Sequence, residues 1–303
     1  MKSDTVLLAG ATGMLGARIA HHLLETEDVA LRLLVRPAAL ADPDKRSGLE
    51  LLVERGAEVV EGEVADPASL VRATDGVDVV VSALQGGREV VMDGQVALAR
   101  AAAANGVRRM LPSDFALDLF KASPGELLPF DLRREADEEI ASLGMERVHV
   151  LTGAFLDTLA TGAGTIEFDD EAGIATFWGT GEERFDATTV DDTARYAARV
   201  AIDPSVPSGK FAVAGQQLSF GEIVSAVERG TGHRYARRSR GTTDDLRTWI
   251  ADRREDGETT AAMYGTYQLS MLTGQTALDD LQNDRYPDIT PQTLAELPTR
   301  RAA

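Results

Sequence analysis

The 303-residue sequence contains no cysteine, which excludes disulfides, thiolate catalysis and Cys-ligated metals. Aromatic residues make up only 5% of it, too few for a surface that binds nucleic acid by base stacking. Lysine is scarce as well: Lys2, Lys45, Lys121 and Lys210 are the whole complement, and the other cations are arginines. With a net charge of −18, the chain lacks the positive field that nucleic acid or an anionic membrane surface requires. No apolar run approaches the roughly 20 residues that span a bilayer. The first apolar strand starts at Thr5, which leaves no room for a signal peptide and predicts a cytoplasmic protein.

What is present begins with Gly10-Ala11-Thr12-Gly13-Met14-Leu15-Gly16. The apolar run Thr5-Val6-Leu7-Leu8-Ala9 precedes it, and Ala17 to Leu24 follows with helical periodicity. Strand, glycine turn and helix in that order predict a dinucleotide-binding unit. Gly10 makes the tight turn, Gly13 lets backbone approach a pyrophosphate, and Gly16 lets helix and strand pack closely. The unpaired N–H groups at the helix start then face the phosphates. The G-x-x-G-x-x-G spacing resembles that of the short-chain dehydrogenase/reductase superfamily.

Strand and helix patterns alternate regularly from there. Strands are expected at Val29–Val35, Glu58–Val60, Val77–Leu84, Arg108–Pro112 and Val148–Leu151. Helices are expected over 48–56, from Asp66-Pro67, over 89–105 and over 132–143. Near-continuous apolar strands separated by helices imply an α/β fold, a Rossmann-type doubly wound parallel sheet. After Leu151 the pattern changes to a hairpin (Ile166–Phe168 with Ile174–Trp178), a helix over 191–202, and a capping box at Ser219 and Glu222. Helices at about 242–256 and 259–273 follow, then a terminal helix starting at Ile289. The expected organisation is a nucleotide-binding domain over 1–151 and a smaller α+β substrate lobe over 152–303, with no tether between them.

The end of the second strand sets the choice of nicotinamide. An acid there bonds the ribose 2′-hydroxyl of NAD, whereas a cation pairs with the 2′-phosphate of NADP. Arg36 stands at that position with no acid before Asp42, and Lys45 follows nine residues later. NADP is therefore expected over NAD, unless Arg36 is only a solvated strand-end residue and Lys45 a surface lysine.

These segments, taken in order, resemble the NmrA-like, isoflavone-reductase-like branch of the atypical short-chain dehydrogenases. The glycine loop, Val35-Arg36, Asp78 to Leu84, and Gly106-Val107-Arg108-Arg109-Met110-Leu111-Pro112-Ser113-Asp114-Phe115 carry the likeness. Gly153-Ala154-Phe155 and Thr188 to Ala194 extend it. The resemblance implies a Rossmann domain with a smaller C-terminal lobe and an NADP-sized cleft between them. It implies that Thr12, Met14 and Leu15 join the glycines at the cofactor, with Ser82, Ala83 and Leu84 lining it. Ser113, Asp114 and Phe115 would border the nicotinamide, and Gly153, Ala154 and Phe155 would form the far wall. Phe115 and Phe155 would face a small aromatic or conjugated substrate.

The resemblance breaks at the proton donor. Reductases of this branch use a lysine in a Phe-x-x-Lys pattern, but Phe130-Asp131-Leu132-Arg133 puts Arg133 in its place. Arginine can clamp an oxygen or a phosphate but cannot release a proton near neutral pH. The alternative for Arg133 is a helix-surface pair with Asp137. No tyrosine has a lysine four residues on, so the usual Tyr-x-x-x-Lys pair is absent. Asp114 or an acid carried by the substrate is a candidate for the role, and a quinone-like or conjugated acceptor needs none. His21, His22, His149 and His233 show no ligand spacing, and no metal is expected. Two readings follow: an NADPH-dependent oxidoreductase, or an NADP(H)-binding redox sensor that acts on a regulatory protein partner. A homo-oligomer is compatible with both.

Overall fold

A computed structural model describes residues 4–162 and 164–297. Its first elements are β1 (Asp4–Ala9), α1 (Met14–Leu24), β2 (Val29–Val35), α2 (Pro37–Ala41), α3 (Pro43–Glu54) and β3 (Glu58–Glu61). Next come α4 (Pro67–Thr74), β4 (Val79–Ser82), α5 (Arg88–Val91), α6 (Asp93–Ala104), β5 (Arg109–Leu111), α7 (Leu128–Ala141) and β6 (Glu146–Leu151). Then follow β7 (Ala154–Phe155), α8 (Leu156–Ala160), β8 (Glu167–Asp169), β9 (Ile174–Phe177), β10 (Phe185–Thr188) and α9 (Val190–Ile202). The chain closes with β11 (Gly209–Ala212), β12 (Gln216–Leu218), α10 (Phe220–Thr231), β13 (Ala236–Ser239), α11 (Thr243–Glu255) and α12 (Thr259–Thr273).

The chain divides into two units. Unit 1 comprises 1–115, 131–150 and 190–211; unit 2 comprises 116–130, 151–189 and 212–303. The expected single boundary after Leu151 is thus replaced by an interleaved path. Within unit 1 the reason is α9, which packs on α1, with His22 Nε2 3.0 Å from Asp191 Oδ1. Fully buried Arg109 fixes the end of α9: it donates to the carbonyls of Val200 (2.9 Å), Asp203 (2.5 Å) and Val206 (2.8 Å) and pairs with Glu146. A helix C-terminus carries unsatisfied carbonyls and partial negative charge, which a guanidinium satisfies.

The sheet of unit 1 runs β11-β6-β5-β4-β1-β2-β3, and the pairs from β6 through to β3 are parallel. Leu7, Ala9, Val80 and Met110 pack on α4, α6 and α7 through Leu70, Ala73, Val96, Ala99, Ala136 and Ile140. Alternation along the strands sends Val6 and Leu8 to the opposite face. The chain steps from β1 to β2 and β3 on one side and returns to β4 on the other. That reversal puts the ends of β1 and β4 side by side, with Ala9 paired to both Leu34 and Ser82. Ligands of doubly wound sheets bind at such a reversal, outside the carboxyl ends of the strands.

In unit 2, β12-β10-β7 and β13-β9-β8 form two small sheets, and β8 and β9 make the expected antiparallel hairpin. Its core includes Phe130, Phe177, Phe185, Phe220, Leu246 and Ile250.

Three helix expectations need correction. The helix expected over 48–56 starts at Pro43, because the Asp42 carboxylate accepts from the N–H groups of Asp44 and Lys45 and proline suits the first helical position. The helix expected over 89–105 is interrupted at Met92 (φ −98°, ψ −69°), giving α5 and α6. No helix starts at Ile289 among the described residues. There the N–H of Leu294 donates to Gln216 Oε1 (2.9 Å) and that of Thr293 to Glu296 Oε2 (2.7 Å), and Pro291 has no N–H to give.

Candidate functional site

The carboxyl edge of the unit 1 sheet gathers most of the residues expected at a cofactor. Gly10 turns out of β1 with φ +97°, and a Cβ there would lie 2.5 Å from the Ala83 carbonyl oxygen. Both the left-handed backbone and the contact with the end of β4 require glycine. A Cβ on Gly16 would lie 2.1 Å from the Gly10 carbonyl oxygen, so α1 can cross the loop only without a side chain. Gly13 is exposed and caps α1, its N–H bonded to Gly10 O (3.0 Å). No side chain caps this helix and its first turn holds no acid, so its N-terminus is open to an anion. Thr12 and Leu15 are half-buried, and Met14 is exposed.

Arg36 follows β2 and is exposed, with no ion-pair partner among the described residues. Lys45 lies in the first turn of α3 rather than in a loop, its ammonium 3.1 Å from Asp42. That ammonium holds the Asp42 carboxyl below its ordinary value, chiefly by hydrogen bonding. Ser82 is fully buried at the end of β4, while Ala83 and Leu84 are half-buried.

At the end of β5, Ser113 is held three ways. Its N–H donates to Gln95 Oε1 (2.8 Å), its hydroxyl to Leu84 O (2.7 Å), and its carbonyl accepts from Arg133 Nε (2.7 Å). Arg133 thus bonds back to β5 as well as sharing a helix face with Asp137. Asp114 is 0% exposed and accepts from His149 Nδ1 at 2.7 Å. The same ring nitrogen lies 3.6 Å from Asp137 Oδ2. Desolvation first, then the neighbouring Asp114, push the Asp137 carboxyl up to about 9, against the opposing pull of Arg147 and Arg133. In the sequence, Asp137 stands out only as a surface partner of Arg133, and His149 has no ligand spacing. Their convergence comes from three separate elements, and no spacing signals it.

Gly153, Ala154 and Phe155 belong to unit 2. Gly153 has φ +71°, and a Cβ there would lie 2.3 Å from Asp186 O. Ala154 and Phe155 are half-buried on β7 beside β10. Phe115 is buried. The arginines of β13, Arg237 and Arg238, are exposed, with Arg237 donating to Ser225, and Arg240 just beyond the strand pairs with Glu167. A small cavity near Leu117, Asp186 and Thr276 contains none of the expected ligand contacts. Asp186 is there used by Gln217 and by the N–H of Leu278. No helix among the described residues is long and apolar enough to cross a membrane.

Comparison with known proteins gives this arrangement its place. The family model described as the NmrA-like family matches residues 2–285. The chain belongs to the NmrA-like family. Pinoresinol reductase 2 of Arabidopsis thaliana is 32% identical over 208 residues, which are 66% of this chain and 65% of that protein. The chain thus spans just under two thirds of that relative's length. The phenylcoumaran benzylic ether reductase PT1 of Pinus taeda is 27% identical over 74% of each chain. Among solved structures, AtPrR2 with NADP+ and (+)pinoresinol superimposes with a TM-score of 0.83 at 25% identity, covering 99% of each chain. That structure thus shares the fold described here.

Proposed function

We propose that this NmrA-like protein is an NADPH-dependent oxidoreductase that reduces a small aromatic or conjugated substrate by hydride transfer. The observation that carries the reading is the open N-terminus of α1 behind Gly10, Gly13 and Gly16, with exposed Arg36, which has no ion-pair partner among the described residues, at the end of the neighbouring strand. Backbone N–H groups there suit a pyrophosphate, and a guanidinium suits a 2′-phosphate in two-pronged fashion. Relatives named as pinoresinol and phenylcoumaran benzylic ether reductases support an aromatic substrate class, and a neighbour described with NADP+ supports the cofactor.

When bound, NADPH supplies the hydride. The chain's part is to hold it: Thr12, Met14 and Leu15 along the loop, Arg36 with Lys45 at the adenosine end, and Ser82, Ala83 and Leu84 along the middle. Ser113, Asp114, Phe115 and Arg133 border the nicotinamide in this reading, and Phe115 contacts the substrate. Arg133 would polarise an oxygen rather than give up a proton. Asp114 lies wholly inside unit 1, so its proton role is exerted through neighbours.

The test is a fluorescence titration with NADPH and NADH on wild type and Arg36→Glu, followed by a panel of quinones, enones and aryl ethers. Reversing the charge at a phosphate contact is expected to weaken NADPH by about 10- to 100-fold while leaving NADH nearly unchanged. Failure of wild type to bind either nucleotide would end the reading. The absence of a releasable proton on Arg133 favours one second reading, a redox sensor that binds NADP(H) with little turnover. It expects unequal affinities for NADP+ and NADPH and a change in hydrodynamic radius; equal affinities and an unchanged radius would exclude it.

A further inference from the structure

Two carboxyl groups and an imidazole lie together inside unit 1, with ligand-type atoms of Asp114, Asp137 and His149 all within 4.8 Å of one another. All three residues are more than nine-tenths buried. As carboxylates they are poorly served. Asp114 Oδ2 accepts from His149, but Asp114 Oδ1 and both oxygens of Asp137 have no hydrogen-bond partner among the described residues. Leaving three buried anionic oxygens bare is costly, and two adjacent buried carboxylates cannot both stay ionised cheaply. One proton resolves the arrangement: an O–H on Asp137 becomes a donor toward Asp114, and the pair carries a single negative charge opposite His149.

We propose that Asp137 and His149 are positioning residues that share one proton with Asp114, and that this proton keeps Ser113 and Arg133 in place for the nicotinamide end of bound NADP(H). The proposal rests on the function given above. Its physical link runs through two short connections. Asp114 follows Ser113 directly, and Arg133, whose Nε holds the Ser113 carbonyl, lies one turn before Asp137 on the same face of α7. Losing the proton sets two negative charges side by side between β5 and α7. It also leaves a bare Asp137 carboxylate four residues from the Arg133 guanidinium, competing with Ser113 for it. The charged and titratable groups facing Asp137 are Arg133 on α7, Arg147 and His149 on β6, and Asp114 beyond β5. Arg147 also donates to the Asp137 carbonyl (3.1 Å).

A divalent cation is the other occupant these atoms could take, and the geometry disfavours it. His149 Nδ1 and Asp114 Oδ2 are 2.7 Å apart, in direct hydrogen-bond contact and too close to admit an ion between the two ligand atoms. Arg133 and Arg147 add positive charge where a dication would sit.

The test is NADPH affinity by fluorescence titration from pH 6 to 10 for wild type, Asp137→Asn and Asp114→Asn. Wild type is expected to weaken by about tenfold or more as the pH passes the loss of the shared proton, a penalty of about 1.4 kcal/mol. Asp137→Asn, whose amide keeps its hydrogens, is expected to show a flat profile. Asp114→Asn removes the neighbouring charge and is also expected to flatten it. Infrared spectroscopy of wild type at neutral pH should show a protonated-carboxyl C=O band that disappears in Asp137→Asn, a readout independent of nucleotide. Parallel pH profiles, a missing band, or stoichiometric Mn2+ binding lost in Asp137→Asn would each overturn the proposal. Wild type that binds no NADPH at pH 7 overturns the function itself. Wild type that binds NADPH with a pH profile the variants leave unchanged overturns only the shared proton.

Discussion

The two ends of the carboxyl edge of unit 1 are built on opposite principles. Around α1 the elements of the site are backbone: a left-handed glycine, a glycine under a carbonyl, and a helix start with nothing capping it. Around β5 they are side chains from three elements: Asp114 just after β5, Asp137 on α7 and His149 on β6. The first end is exposed and electrostatically simple. The second is buried, and its charge state depends on its neighbours. A backbone cradle tolerates no added atom, whereas a buried side-chain network tolerates substitution but is sensitive to protons.

The sharpest way to break this comparison is at Gly16. A Cβ would lie 2.1 Å from Gly10 O and 2.7 Å from Gly10 C, and both are main-chain atoms that can move only with the loop. Gly16→Ala is therefore expected to weaken NADPH binding by about 100-fold or more, an overpacking penalty of about 3 kcal/mol placed on the loop itself. Gly48→Ala is the control. It lies exposed in α3 with nothing within 4 Å of its Cβ, so the change should stabilise the helix by up to about 1 kcal/mol and leave binding unchanged. Equal effects at the two glycines would mean the cradle is not a cradle.

The contrast also explains what could be read from the sequence. Gly10, Gly13 and Gly16 are legible because a backbone constraint fixes residue type at a fixed spacing along one turn. The strands from β1 to β6 are legible because a sheet covered on both faces demands continuous apolar runs. Asp66 before Pro67, and Ser219 with Glu222, announce helix starts for the same local reason. The Asp114, Asp137 and His149 cluster is not legible, since its members are separated by 23 and 12 residues and nothing in either stretch requires a partner. The placement of α9 with unit 1 is hidden likewise: it depends on Arg109 reaching carbonyls some ninety residues away. The terminal helix failed because side-chain acceptors took the N–H groups, a competition that periodicity does not register.

The second test sharpens the buried end through stability rather than binding. The Asp137 carboxyl is raised to about 9 in the folded protein, against an ordinary value of about 3.9 when unfolded. Between those values the native state holds a proton that the unfolded chain has released. The stability linked to it is therefore fully present below about pH 4 and is lost as pH rises through 9. Asp137→Asn cannot lose that proton. Denaturant melts should show the variant close to wild type at pH 5 and more stable by about 1–4 kcal/mol at pH 8, with a shallower fall of stability between them. A variant less stable than wild type at pH 8 would show that Asp137 is ionised and paired, and that the two ends are more alike than the geometry implies.

The smallest effect is expected at Lys45, and it probes the exposed end. Its ammonium lies 3.1 Å from Asp42, with both side chains substantially exposed. Water screens that pair, so it contributes little to folding, and the lysine can leave it for a phosphate at little cost. Arg36 has no such attachment and a planar fork suited to the same phosphate. Lys45→Ala is therefore expected to weaken NADPH by only about two- to fivefold, less than the charge reversal at Arg36, and to do so less at high salt. Should Lys45→Ala match Arg36→Glu in effect, the phosphate would lie over the start of α3 rather than at the end of β2. The exposed end would then also depend on side chains from separate elements, and the contrast between the two ends would fail at its simpler half.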